Sequence, residues 1–388
     1  MAHPVDVDDI ILNFDPAKPH ARFRAMGLPS DILVAEAALP SPPPWPSAAA
    51  PTPAPLAQTP SESADLSQFK GYDAVAVTWT AAEASAMATL FTPGHPLAEW
   101  YEYRHDVASY APLVTGKKAP FNDARPEMAR YHHSLGLYFP CTIRGKRVLL
   151  FKSGLHLDYD GPQVPVRRLM TEIAQAVEPK LFITTGTGGG IGAGVKLGDV
   201  VVAGTVKFDC RRQFKNEPWA AASYAPSPLP AGALAAMTPA LMKVNASRIP
   251  GARPTPEIFS SSGDAVVTTD VFAFDDSTDY FGLQGLGRAC DMGDAMVADA
   301  LQAFKSMSWH AIRNASDPQI PNPDHNIEEA NKQAAVIYAK YGGLTTAASL
   351  IATWAIIQAG ARSVGATESS PISAGYKLGR LPPERRGR

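Results

Sequence analysis

Cysteine is scarce in this chain of 388 residues: Cys141, Cys210 and Cys290 are the whole complement, an odd number without a C-x-x-C pair. That excludes a disulfide framework and a zinc knuckle and fits a reducing compartment, so a cytoplasmic location is expected. An excess of charge of one sign is also lacking. The chain sets 35 Lys and Arg against 37 Asp and Glu, for a net charge of -2. Nothing in that balance would draw the protein onto a nucleic acid backbone or an anionic membrane. Its first residues offer Asp6, Asp8 and Asp9 where a secretory signal would carry basic residues and an apolar core. The longest apolar run, 344–359, is interrupted by Thr345, Thr346, Ser349, Thr353 and Gln358 and falls short of the ~20 residues a membrane span needs. The expectation is a buried helix there, a small molecule as partner, and neither nucleic acid nor membrane.

What is abundant is proline, 36 residues in all. Proline and alanine crowd the stretch from Leu39 to Pro60, where Pro42-Pro43-Pro44 favours extended polyproline geometry over packing. This divides the chain into an arm over 1–38, a Pro/Ala-rich linker over 39–70, a main domain over 71–365 and a small, polar, finally basic tail over 366–388. Within the main domain, residues 74–79 form a short β-rich run. Ala81 to Phe91 follows as an alanine-rich helix stopped by Thr92-Pro93-Gly94. Residues 147–153 read as a strand, 164–177 as a helix with apolar positions at 166, 169, 170, 173 and 177, and 181–185 as a third strand. Further strands are expected at 195–203, 263–268 and 310–314, with helices at 292–304 and 327–341. The region 208–256 reads as irregular, with one helix over 232–244. The alternation is that of an α/β fold with parallel strands flanked by helices.

A glycine-rich turn, Gly186-Thr187-Gly188-Gly189-Gly190-Ile191-Gly192, ends the third strand. The G-x-G-x-x-G spacing of a dinucleotide fold fails at every register, and a strand follows the turn where that fold has a helix. No G-x-x-x-x-G-K-[ST] occurs either, so a P-loop is excluded and no cofactor is expected. Two readings remain. Either backbone N–H groups and the Thr187 hydroxyl approach a ligand here, or this is a tight connection between strands with no ligand.

The segment from Phe182 to Val202, with its Gly186-Thr187-Gly188-Gly189-Gly190 turn and its Lys196-Leu197-Gly198-Asp199-Val200-Val201 strand, resembles the signature of the purine nucleoside and uridine phosphorylases. It resembles equally that of 5′-methylthioadenosine/S-adenosylhomocysteine nucleosidase. Three further landmarks come in the family's order: Ser262-Gly263-Asp264-Ala265, then Asp291-Met292-Gly293-Asp294 where Glu-Met-Glu is usual, then Ile312-Arg313-Asn314-Ala315-Ser316-Asp317. The likeness runs from about Asp73 to Gln358. It implies a three-layer α/β/α fold with a mixed, partly barrel-like central sheet, a homodimer, and cleavage of a nucleoside with no metal or cofactor.

Breaking a ribosyl C1′–N bond passes through an oxocarbenium-like state, so the departing base needs a proton, the nucleophile needs orientation and the sugar hydroxyls need anchors. Asp317 matches the family aspartate that protonates the leaving purine, with Ser316 beside it to orient it; the alternative is that Ser316-Asp317-Pro318 is a turn signal. Glu83 falls in register with the nucleosidase glutamate that activates water. The alternative is a solvated glutamate at a helix N-terminus, stabilised by the dipole. The resemblance also sets Thr187, Gly188 and Met292 against the substrate. The ribose-gripping glutamate falls on Gly293, leaving Asp291 or Asp294 as substitutes, and the aromatic residue that packs on the base falls on Val266.

Hydrolysis is favoured over phosphorolysis because Thr184 stands where bacterial purine phosphorylases carry a phosphate-binding arginine, and a carboxylate at 83 would repel a phosphate dianion. Two alternatives stay open: a phosphorylase drawing its arginine from Arg104, Arg125 or Arg130, and a non-catalytic nucleoside-binding module on the same fold.

Overall fold

The computed structural model describes residues 45–114, 134–157, 163–244, 249 and 251–360. The expected arm over 1–38, the tail over 366–388, Arg125 and Arg130 lie outside them. The first half of the described chain holds β1 (Pro51–Pro53), β2 (Ala74–Thr78), α1 (Ala81–Phe91), β3 (Tyr101–Tyr103), α2 (Val107–Tyr110), β4 (Gly136–Ile143), β5 (Lys146–Ser153), α3 (Pro165–Val177) and β6 (Leu181–Gly190). Then come β7 (Val200–Val202), β8 (Thr205–Asp209), β9 (Ser223–Tyr224), α4 (Ala233–Leu241), β10 (Ile258–Phe259) and β11 (Ala265–Thr269). The series ends with β12 (Ala289–Asp291), α5 (Asp294–Leu301), β13 (Ser308–Asp317) and α6 (Ile327–Ala359).

One mixed sheet joins the strands in the order β1-β4-β5-β2-β6-β12-β11-β8-β9, with β13 beside β6 and β7. Its centre is parallel: β2 runs with β5 and β6, and β13 with β6. The sheet is not closed. Its path ends on β1 and β9, with β13, β7 and β10 branching from β6.

The apolar residues of β2 serve two cores because successive side chains of a strand point to opposite faces. Val75 and Val77 pack with Val166, Leu169 and Ile173 of α3 and with Ala295 and Ala298 of α5. Ala74 and Ala76 pack with Met87 and Phe91 of α1 and with Leu350, Ile351 and Trp354 of α6. Helices therefore cover both faces, giving the expected three layers.

Helix α6 merges two expected pieces, 327–341 and 344–359, into 33 residues. By length and composition it is apolar enough to cross a membrane, yet 83% of its apolar window is buried inside the fold, where it covers the sheet. The expected linker is corrected from Trp45 onward. Trp45 lies between Phe91 and Trp354, with ring centroids at 5.6 and 5.9 Å, and Trp354 Nε1 donates to Ala49 O at 2.7 Å. β1 pairs antiparallel with β4, and Leu66 and Phe69 are buried. Pro51 and Pro53 are compatible with this because an edge strand needs only one of its sides for hydrogen bonding. The prolines set the extended geometry, and the interspersed Trp, Leu and Phe supply the apolar surface that docks it.

Candidate active site

The C-terminal ends of the parallel strands β2, β6 and β13 meet at one margin of the sheet, the place where open α/β sheets form clefts. After β2 the chain turns through Trp79 and Thr80 into α1. Thr80 caps that helix in a reciprocal box: its hydroxyl accepts from Glu83 N, and the Glu83 side chain accepts from Thr80 N. Local helix chemistry thus brings Glu83 to the cleft. Its Oε2 accepts from Thr78 Oγ1 at 2.5 Å, Trp79 N at 3.0 Å and Thr80 N at 2.9 Å. Its Oε1 accepts from Thr187 N at 2.6 Å and Thr187 Oγ1 at 2.5 Å. Such an approach requires the glycine at 186, where a Cβ would lie 2.5 Å from the carboxylate. Burial pushes the Glu83 carboxyl up, but Arg313 and the Thr187 and Thr78 hydroxyls outweigh it and hold the group below its ordinary range.

Asp317 comes from the end of β13, not from the loop after it. The pairing of β13 with β6 shifts register between Ala315 and Asp317, setting Asp317 opposite Gly189, and such an irregularity re-aims the side chains beside it. Ser316 Oγ donates to Asp317 Oδ1 at 2.8 Å. Burial pushes the Asp317 carboxyl up to about 6, with the Ser316 hydroxyl opposing it.

Arg313 lines the same cavity on the Glu83 side. Its Nε donates to Asp294 Oδ2 at 2.8 Å, its Nη2 donates to Asp294 Oδ1, and its Nη1 donates to Thr187 O at 3.1 Å. Asp291 Oδ2 lies 3.0 Å from Nη2 and Glu83 Oε1 lies 3.9 Å from Nη1. The guanidinium also sits over the Trp79 ring, 4.9 Å from its centroid. Asp291 in addition accepts from Thr268 Oγ1 and from the backbone N–H of Gly293 and Asp294, which secures the start of α5. Burial and the neighbouring Asp294 raise the Asp291 carboxyl above its usual range.

Glu83, Asp317, Asp291, Thr187, Gly188, Met292 and Ser316, all singled out in the sequence, line one cavity. Two expected residues do not. Val266 belongs to the apolar core, fully buried, and the aromatic residue that reaches the cavity from this part of the chain is Phe272, six residues further on, beside Trp79 and Tyr338 from elsewhere. The strand β11 continues through Thr269, so only the loop after it reaches the cleft. Asp294 stands behind the lining, held by Arg313, whereas Asp291 lines the cavity, its Oδ1 accepting from Thr268 alone. Glu83 reaches the cavity as expected, not as a solvated residue, and its carboxylate accepts from five donors.

Sequence reasoning missed Trp79, Phe272 and Tyr338. Tyr338 donates its hydroxyl to Thr80 Oγ1 at 2.8 Å from the far helix α6, a contact with no local signal. Trp79 stood beside the quoted residues, but as an apolar side chain after a strand it signals only core. Among the described residues no three His, Cys, Asp or Glu side chains are grouped as metal ligands.

The cavity therefore offers two carboxyls that can hold a proton near neutrality, Asp317 raised to about 6 and Asp291 to about 7, beside the ionised carboxylate of Glu83 and beneath aromatic walls. A family model described as the phosphorylase superfamily matches residues 105–352, well over half of the chain. The chain belongs to the phosphorylase superfamily. Among solved structures, this superfamily member is similar to 5′-methylthioadenosine/S-adenosylhomocysteine nucleosidase from Neisseria meningitidis in complex with methylthio-immucillin-A. The identity is 17%, the coverage 74% of this chain and 99% of the other, and the TM-score 0.44. Futalosine hydrolase of Helicobacter pylori is similar at 13% identity, with 74% and 97% covered and a TM-score of 0.43. The Streptococcus pneumoniae nucleosidase in complex with 8-aminoadenine is similar at 16%, with 74% and 99% covered and a TM-score of 0.45. No curated protein matches the chain.

Proposed function

We propose that this superfamily member hydrolyses the N-glycosidic bond of a nucleoside with a purine-type base, releasing free base and sugar. The observation that carries the reading is Asp317: an enclosed carboxyl pushed up to about 6, oriented by Ser316, with Oδ2 left for a ligand. Near neutrality such a group delivers a proton to a departing base nitrogen and leaves as a stable carboxylate. Glu83 stays ionised opposite it and stabilises the positive charge that develops on the sugar. Thr187 Oγ1 donates to Glu83 and lies within hydrogen-bond reach of the Tyr338 hydroxyl, so the two hydroxyls together orient the attacking water. In a dissociative, oxocarbenium-like reaction water needs placement more than deprotonation.

Water is favoured over phosphate by the state of the guanidinium. Arg313 is the only arginine lining the cavity among the described residues, and Asp294, Asp291 and the Thr187 carbonyl occupy it. Arg104, a candidate phosphate ligand, pairs with Glu62 and Glu102 outside the cavity. The test is incubation of the purified protein with a nucleoside panel, with and without phosphate, following free base, free sugar and sugar 1-phosphate. Free sugar in phosphate-free buffer is expected. A strict phosphate requirement with sugar 1-phosphate as product would establish a phosphorylase instead.

A further inference from the structure

At the opposite margin of the sheet from the candidate active site, where β2, β6 and β13 begin, lies a second cavity of about 180 Å³, bounded by the C-terminal end of α6. Ala74, Leu181, Pro228, Pro230 and Ile357 supply its apolar walls, and His310, the third residue of β13, lines it as well. That side chain is only 2% exposed and finds no hydrogen-bond or ion-pair partner among the described residues, yet neither ring nitrogen is sealed from water. The nitrogens therefore open onto the cavity that the residue lines. Burial pushes the imidazole down to about 4, so near neutrality it is uncharged and offers one N–H and one lone pair. The charged groups around it are already engaged. Lys146 Nζ donates to Ile357 O at 2.6 Å, to Gln358 O at 3.2 Å and to Gly360 O, which fixes it on the last carbonyls of α6. Lys180 Nζ stands 3.9 Å from Asp73 Oδ1, and Asp73 Oδ2 accepts from Arg147 N at 2.9 Å.

We propose that this cavity is a second ligand site, for a neutral, compact molecule with an apolar body and a single hydroxyl or N–H group that hydrogen-bonds to His310. The size suits one ring, since an apolar-walled void of about 150 Å³ is enough to hold benzene. Water alone would satisfy the imidazole but leave the proline and aliphatic walls wet, whereas a purely apolar guest would leave the imidazole unmet. A ring with one polar head meets both surfaces. A charged ligand is disfavoured, because each ammonium and carboxylate around the cavity already has a partner and a further buried charge would lack a counter-ion. The site shares no residue with the cavity of Glu83 and Asp317, so it stands apart from the nucleoside chemistry.

The probes are phenol, toluene and benzoate: one ring with a hydroxyl, with no polar head, and with a charge. Each is titrated into the full-length protein while the histidine ring signals are followed by NMR, with His310 assigned through its backbone. Phenol should shift the His310 signal and saturate it at millimolar concentration. Toluene should bind about fivefold more weakly for want of one hydrogen bond, and benzoate more weakly still. His156 lines the cavity of Glu83 and Asp317 and reports a probe that enters there instead. His310→Phe keeps a ring and removes both nitrogens, so calorimetry on that variant should show phenol falling to the affinity of toluene. Should the variant not fold, the wild-type ranking decides by itself. Toluene or benzoate binding as tightly as phenol, a response confined to His156, or a His310 signal unmoved by phenol up to its solubility limit would overturn the assignment.

Discussion

Glu83 and Asp317 face the same cavity and are equally withdrawn from water, yet their carboxyl groups move in opposite directions. Burial alone would raise both. Glu83 meets five hydrogen-bond donors and a guanidinium; Asp317 meets one hydroxyl. Between these two, donors and the guanidinium hold Glu83 ionised while Asp317, with one hydroxyl, is left to burial; Asp291, which has several donors but Asp294 as a neighbour, is raised as well, so like charge counts beside donor number. A single cavity can therefore contain a fixed anion and a proton donor built from the same functional group.

The widest separation between the two should appear when each is made an amide. Asp317→Asn cannot deliver a proton, and base release should fall by roughly 10²–10⁴-fold, followed by chromatography, with the fold retained by circular dichroism. Glu83→Gln should instead unfold more easily, by about 2–4 kcal/mol in denaturant titrations, because an amide N–H₂ is turned toward groups that themselves donate. Activity should fall with it as Thr187 loses its anchor. A Gln variant of wild-type stability that has lost only kcat would return Glu83 to the role of base and erase the contrast.

Proton linkage sharpens the comparison further. The Asp317 carboxyl is raised in the fold from 3.8 to about 6, so the native state binds the proton more tightly than the unfolded chain. Its contribution to stability is complete below about pH 4 and is lost as pH rises through about 6. At pH 8 Asp317→Asn should accordingly be more stable than wild type by on the order of 2 kcal/mol, the gap closing below pH 4. Melting temperatures across that range test the sign; a gap that widens in acid contradicts it. Turnover by wild type should decline above pH 6 as the acid ionises. The smallest effect is expected from Ser316→Ala. Its hydroxyl opposes the rise, so its loss should shift that decline to higher pH by about half a unit, visible in a kcat/KM profile, while a shift to lower pH would count against the Ser316–Asp317 bond.

What the chain determines without its fold is local. The capping box at Thr80 and Glu83, the βαβ order around β5, α3 and β6, and the Pro165 start of α3 are set by residues within a few positions of one another. The βαβ order was legible from periodicity, whereas the capping box and the Pro165 start, though equally local, were seen only in the structure. The landmarks also named Asp317, Ser316 and Thr187 as members of one site. Tertiary structure decided everything that depends on which distant groups share a wall. Thr187 lies 104 residues from Glu83, and Arg313 lies 126 from Thr187. Only the register of β6 against β2 and β13 brings them into contact, and only that contact holds the Glu83 carboxyl below its ordinary range. The same holds for Trp79 against Gly293, for Phe272 in the place expected of Val266, and for the Pro-rich stretch whose Trp45 finds Phe91 and Trp354. In each case the sequence supplies an apolar or polar surface, and its partner is chosen by the packing of strands and helices far away along the chain.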